Sequence, residues 1–206
     1  MSRILPTRTD AWLEAAIEII HSGGVVALAF ERLFGLAADA LNPDAVARVA
    51  RIKNRAEQRA GSRPIAVILP RFNDVSRFCE AMTPEASALA GQHWPGPLTL
   101  IVRAKPDLPP PLVSEAGLIG LRVPGDSPAA RLALGADCPL TATSANLAGA
   151  DDALSHHDVV GLDGVDITLE GQVPGPPGST VVDASGAALK VLRHGVIRIA
   201  EDQNEH

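Results

Sequence analysis

The strongest constraint in this chain is a recurring unit: an apolar run only a few residues long, closed off by glycine or proline. Val25 to Leu28 follows the Gly23-Gly24 pair, Ile65 to Leu69 lies between Pro64 and Pro70, Leu98 to Val102 follows Pro95-Gly96-Pro97, and Leu118 to Val123 runs into Pro124. Runs this short are poor helices, and their β-branched content suits buried strands. Cys138 to Asn146 reads as a further strand, ending in small hydroxyl and amide residues. Asp166 to Leu169, Ser179 to Val182 and Leu189 to Leu192 read as short late strands arranged as hairpins.

Between these runs stand segments with helix start and stop signals. Asn42-Pro43-Asp44 offers an N-cap acceptor, a proline with no N–H to leave unpaired, and an acid that complements the helix dipole, so a helix is expected from about Pro43 to Lys53. Its apolar face is Ala45, Val46, Val49 and Ile52. Thr83-Pro84 and Ser127-Pro128 open helices to about Gly91 and Leu134, and Thr9-Asp10 precedes a helix stopped by Gly23-Gly24, with Trp12, Ala16, Ile19 and Ile20 inward. Short helices are also expected over Asn73 to Cys79 and Ser155 to Val160, and residues 29 to 41 read as an irregular turn. Helices interleaved with strands define an α/β fold with a mixed parallel and antiparallel sheet, and 206 residues suffice for one domain with its own core.

Composition narrows the function classes. Aromatic residues make up only 3% of the chain and tyrosine is absent, which argues against a single-strand nucleic-acid binder built on stacking platforms. The two cysteines, Cys79 and Cys138, fit no metal-ligand spacing and read as buried hydrophobes in a reducing compartment. His156 and His157 are neighbours, and on a helix they would diverge by about 100°, so no metal site is expected. The N-terminal MSRILPTRTD lacks an apolar core and no run is long enough to span a membrane; a cytoplasmic location and no membrane partner are expected.

Charge is uneven. The net charge is −6, yet residues 48 to 63 carry Arg48, Arg51, Lys53, Arg55, Arg59 and Arg63 against Glu57 alone. Such a run is either a solvated face or part of an anion site. Arg122, isolated in an apolar strand, must be paired or aimed at an anion, because an unpaired buried guanidinium is very costly. The phosphate-loop, dinucleotide-fingerprint, hydrolase-elbow and zinc signatures are absent. What remains is a dispersed set of anion-binding and hydrogen-bonding groups: Lys53, Arg55, Arg122, Ser144, Asn146, Ser179 and Arg193.

The blocks GGVVAL, FGLAADALNPDAV, IKNR, HWPGPLTLIV, GLRVP, PLTATSANLAG, GSTVVD and VLRHGVIR, in this order over residues 12 to 198, resemble the YrdC-like threonylcarbamoyl-adenylate synthase family. The resemblance implies a single YrdC-like domain over 1–206, with a short tail, 199–206, expected to be flexible. It further implies a twisted sheet flanked by helices around a basic concave cavity. The implied reaction makes threonylcarbamoyl-AMP and pyrophosphate from L-threonine, bicarbonate and ATP, with Mg²⁺, toward the threonylcarbamoyladenosine modification of tRNA. By matching position, Lys53, Arg55, Ser144, Asn146 and Arg193 would bind the nucleotide, and Arg122 and Ser179 would engage threonine.

Against the family's P-T-D/E-T-V-Y-G-L block, the chain reads Ala29 to Leu36 as AFERLFGL, with Phe30 and Arg32 in place of two threonines and Phe34 in place of tyrosine. A few extra residues follow Arg55, and Asp151-Asp152 stand where hydroxyl residues are usual. Three functions accommodate these changes: a synthase with a remodelled threonine pocket, a diverged paralogue that binds nucleotide or double-stranded RNA, or a synthase in which Arg32 recognises a different acid.

Overall fold

The computed structural model describes residues 2–53, 64–146, 151–159 and 161–199. Arg55, Arg59 and Arg63 of the basic run, Val160 and the tail from 200 lie outside the described residues. The strands are β1 (Arg3–Leu5), β2 (Val26–Ala29), β3 (Phe34–Ala37), β4 (Ala66–Ile68), β5 (Leu98–Arg103), β6 (Leu118–Arg122), β7 (Leu140–Ser144), β8 (Ile167–Leu169), β9 (Thr180–Asp183) and β10 (Lys190–Arg193). The helices are α1 (Ala11–His21), α2 (Pro43–Ile52), α3 (Pro84–His93) and α4 (Pro128–Gly135). Among the described residues the strands form one sheet in the order β1-β8-β2-β3-β7-β4-β6-β5-β9-β10. Its pairings are mixed: β8 runs parallel to β1 and β2, β4 to β6 and β5 to β9, and the remaining neighbours are antiparallel.

The proline-led helix starts are used as their chemistry dictates. Asn42 Oδ1 accepts from the N–H groups of Asp44 (3.0 Å) and Ala45 (3.2 Å), and the Thr83 and Ser127 hydroxyls accept from Ala86 and Ala130. At α1, Asp10 takes the cap position but makes no side-chain cap; its carboxylate accepts instead from Arg131 of α4 at 2.5 Å, and the Arg131 guanidinium lies over the Trp12 ring. These contacts join α1 to α4 as one layer.

Alternation along the strands sorts the core. Val26, Leu28, Ile167 and Leu169 pack under α1 and α4 with Trp12, Ala16, Ile20, Leu132 and Ala133. Val25, Ala27, Leu36, Leu98, Leu100, Leu121 and Val182 point to the opposite face, where Val46 and Val49 of α2 and Ala86 and Ala90 of α3 cover them. Cys79 and Cys138 are buried and unpaired, and burial is the main cause that pushes both thiols up from their ordinary pKa.

Several local expectations are corrected. The segment expected to be an irregular turn contains β3, a hairpin partner of β2 with Val26 opposite Ala37 and Ala29 opposite Phe34. Its sequence, FGLA, has little β-propensity and no alternation because all four residues are buried between β2 and β7. β1 carries no apolar alternation and is defined only by its partner β8. β8 itself is no hairpin arm: it inserts in parallel between β1 and β2. The helices expected near Asn73 and Ser155 are 3₁₀ turns over Phe72–Arg77 and His156–Asp158, each tightened by an acid, Asp74 or Asp158, bonding back to the chain.

Candidate functional site

Beyond β7, the face that α1 and α4 cover elsewhere carries a cavity of about 830 Å³. Its floor is made by cross-strand rows of small side chains. Ala142 faces Ala66, and Gly120 faces Ile101. A Cβ on Gly120 would come within 3.2 Å of Ile101 and 3.4 Å of Ala66, so glycine there keeps the floor flat. One row further, Leu100 pairs with Leu121, which sets Thr99 beside Arg122; Thr99 in turn faces Val181, and Val181 faces Arg193. Register therefore delivers two arginines and a hydroxyl to one wall.

The Arg122 side chain is only 12% exposed. Its Nε donates to the Gly96 carbonyl at 2.8 Å and its Nη2 pairs with Glu31 Oε1, which also accepts from Gly125 N at 2.9 Å. Burial is the largest cause acting on this guanidinium and lowers its pKa; Glu31 opposes the shift, and Arg193 is close enough to add to it. A guanidinium whose desolvation is not fully offset, with a second cation beside it, is poised to accept an anion. Ser179 completes this wall: its hydroxyl meets Thr99 Oγ1 at 2.8 Å, and its carbonyl accepts from Arg193 Nη2 (2.9 Å) and Nε (3.2 Å).

On the far side lies the Ser144-Ala145-Asn146 turn at the end of β7. Lys53, the residue that ends α2, is 1% exposed. Its Nζ donates to the Ser144 carbonyl (2.6 Å), to Asn146 Oδ1 (2.7 Å) and to the Asn146 carbonyl, while Ser144 Oγ donates to Asn146 Oδ1 at 2.5 Å. Of this group Ser144 lines the cavity, and the buried ammonium fastens the turn from behind.

Of the expected site residues, Arg32, Arg122, Ser144, Ser179 and Arg193 line the cavity, Lys53 and Asn146 stand behind its wall, and Arg55 lies outside the described residues. The basic run does not form one charged face within its described part: Arg48 pairs with Asp166 at 2.8 Å, Arg51 is exposed and Lys53 is buried. Arg48 and Arg51, three residues apart, share the outer side of α2, while Lys53, just past the helix end, turns inward. The described lining carries Arg32, Arg122 and Arg193 against Glu31, Asp152 and Asp183, so its charges balance. Sequence reading missed Glu31 and Thr99 as wall residues. The signal was present: one acid at the centre of the divergent block, and one threonine following Pro97-Leu98.

The Phe30 ring lies directly on Gly35. A Cβ at Gly35 would sit 2.4 Å from the ring edge and 2.9 Å from the Thr143 carbonyl. Gly35→Ala must therefore push Phe30 into the cavity or open the β3–β7 pairing, and a stability loss of about 2 kcal/mol in urea denaturation is expected. An unchanged midpoint would refute this packing.

A family model, Sua5/YciO/YrdC, described as telomere recombination, matches residues 18–195. The chain belongs to this family. It is 36% identical over 182 residues to a bovine protein named threonylcarbamoyl-AMP synthase, a match covering 84% of this chain and 63% of that one. A Pyrococcus abyssi protein of the same name is 29% identical over 153 residues, covering 74% of this chain and 44% of that one. The chain thus spans less than two thirds of the length of these relatives. Its fold superposes on the P. abyssi Sua5 complexed with L-threonine with a TM-score of 0.83, at 28% identity, over 95% of this chain and 57% of that one. The fold of Escherichia coli YciO is similar at a TM-score of 0.79 and 24% identity, over 95% of this chain and 97% of that one. Glu31 and Arg32 lie within the matched residues and line the cavity wall. Among the described residues no group of three or more metal-ligating side chains occurs, His156 and His157 included, and no helix is long and apolar enough to cross a membrane.

Proposed function

We propose that this chain is a threonylcarbamoyl-AMP synthase, forming threonylcarbamoyl-AMP and pyrophosphate from L-threonine, bicarbonate and ATP for the modification of adenosine in tRNA. The observation that carries the reading is the wall where Arg122 and Arg193 flank the Thr99–Ser179 hydroxyl pair, opposite the Ser144–Asn146 turn across one cavity. All three reactants bear negative groups, so their meeting requires fixed positive charge and oriented donors in a recess with little water.

In this scheme Arg122 and Ser179 take the carboxylate and hydroxyl of threonine, and Ser144, Asn146 and Lys53, with Arg55 and Arg193, hold the nucleotide. The threonine amine adds bicarbonate with loss of water. The resulting carbamate oxygen attacks the α-phosphorus, the bond from that phosphorus to the bridging oxygen breaks, and pyrophosphate leaves. Mg²⁺ belongs to the substrate as the counter-ion of the triphosphate. Among the described residues the wall does not supply a three-ligand site for a resident ion. We take the whole chain, 1–206, as one catalytic domain.

Double-stranded RNA binding in this recess has less support, because the described lining is charge-balanced and RNA affinity rests on excess positive charge. The test is pyrophosphate release by purified protein with MgATP. Release that requires both threonine and bicarbonate is expected; release that ignores threonine, or none at all, refutes the proposal.

A further inference from the structure

Arg32 replaces a threonine of the family pattern and lines the cavity, yet its donors are turned to the protein's own backbone. Its Nε donates to the Gly175 carbonyl at 2.8 Å and its Nη2 to the Pro176 carbonyl at 3.1 Å. In return the Arg32 carbonyl accepts from Gly175 N at 3.0 Å. Three hydrogen bonds thus join the turn at 30–33, closed by Phe30 N to Leu33 O at 2.9 Å, to the segment ahead of β9.

That segment leads straight into the site. Only Pro177 and Gly178 separate Pro176 from Ser179, and prolines fix φ, so a hold on residues 175 and 176 reaches Ser179 with little slack. Past the prolines the path is again held: the Gly178 carbonyl accepts from Val196 N at 3.0 Å, and Ser179 is bonded to Thr99 and Arg193. The residue before Arg32 works in the opposite direction, since Glu31 grips Arg122 and Gly125. Two consecutive side chains therefore hold the two halves of the wall, Glu31 the β6 half and Arg32 the β9 half.

We propose that Arg32 is a positioning residue: a brace that sets Ser179, and through it Arg193, at a fixed distance from Arg122, rather than a contact to substrate. This rests on the synthase reading for its kinetic consequence, though not for the brace itself. The planar fork is the reason for arginine here. It offers two donors held in one plane to two successive carbonyls, whereas a threonine hydroxyl has a single proton to give and a lysine ammonium lacks the fixed fork.

The experiment compares Arg32→Ala and Arg32→Lys with the unaltered full chain by amide hydrogen exchange and by steady-state kinetics. In the alanine variant, exchange at Gly175 and Val196 is expected to rise about tenfold, the lysine variant falling between, while core amides such as Leu100 and Leu121 keep their protection. The KM for threonine is expected to rise about tenfold in Arg32→Ala, the KM for ATP to rise by a smaller factor of about three because Arg193 is held through Ser179, and lysine to restore only part of the loss. Unchanged exchange at Gly175 and Val196 overturns the brace. Raised exchange with an unchanged threonine KM overturns its role in the pocket, and full rescue by lysine assigns Arg32 to the substrate's charge instead. Because the exchange measurement needs no ligand, it decides the brace even if the unaltered protein releases no pyrophosphate, an outcome that would sink only the synthase reading.

Discussion

Arg122→Ala is expected to lower kcat/KM for threonine by at least about a hundredfold and to cost about 3 kcal/mol of stability. The two losses have one origin. Arg122 is the cation of a pair that is largely removed from water, and its fork is shared between the Gly96 carbonyl and Glu31. Removing it deletes the charge offered to a carboxylate and strands Glu31, whose Oε2 is buried and has no hydrogen-bond partner among the described residues. For a chain of this length, 3 kcal/mol corresponds to a melting temperature lower by roughly 10 °C. Glu31→Ala should destabilise by a similar amount, by leaving the guanidinium unpaired. The double variant Glu31→Gln, Arg122→Met should be less destabilised than the sum of its singles, with a coupling of about 2 kcal/mol, because removing both charges also removes their desolvation cost. Strict additivity in thermal or urea unfolding would show that the two side chains are not coupled and would remove the physical basis given for the anion site.

Lys53→Met should weaken ATP binding about a hundredfold and lower stability by about 3 kcal/mol. Methionine keeps the length and apolar stem of lysine but gives no donor to the Ser144 carbonyl or to Asn146 Oδ1, which the ammonium reaches at 2.6 and 2.7 Å. The lysine is 1% exposed while Ser144 and Asn146 are half-buried, so water reaches the vacated acceptors only from the cavity side and replaces the lost bonds in part. The turn would then relax and carry with it the Ser144 hydroxyl, the member of this group that lines the cavity. Calorimetric titration with MgATP reads the binding loss, and urea denaturation reads the stability loss. A variant that binds ATP as tightly as the original protein would show that the ammonium holds the turn without shaping the nucleotide site. Lys53→Arg is expected to fare little better, because the larger planar head does not fit a space built for a compact ammonium between two carbonyls and an amide oxygen.

Much of the architecture was legible along the chain because the signals that encode it act over a few residues. Proline fixes φ where it stands, glycine supplies backbone conformations that other residues avoid and so breaks helices and strands, and Asn42, Thr83 and Ser127 cap the N–H groups that follow them within three positions. These alone separated strands from helices and gave the α/β class. The ordered blocks identified the family and put Ser144, Ser179, Arg122 and Arg193 in one set before any distance was known. The sheet order was not legible: β3 and β1 carry almost no pattern of their own, and β8 reads like a hairpin arm until its neighbours β1 and β2 are seen.

What the sequence determined by itself was most of the strands and the four helices in their order, the family, and part of the polar set at the cavity: Arg32, Arg122, Ser144, Ser179 and Arg193, without Glu31 and Thr99. Only the tertiary structure decided their directions: Arg32 toward the backbone of residues 175 and 176, Lys53 into the Ser144–Asn146 turn, Glu31 onto Arg122, and Arg48 away from the site toward Asp166. The reason is separation along the chain. These partners stand 143, 93, 91 and 118 residues apart, so no propensity or cap reports on them. They meet because strand register sets their spacing and because a charge buried by the fold must find its counterpart.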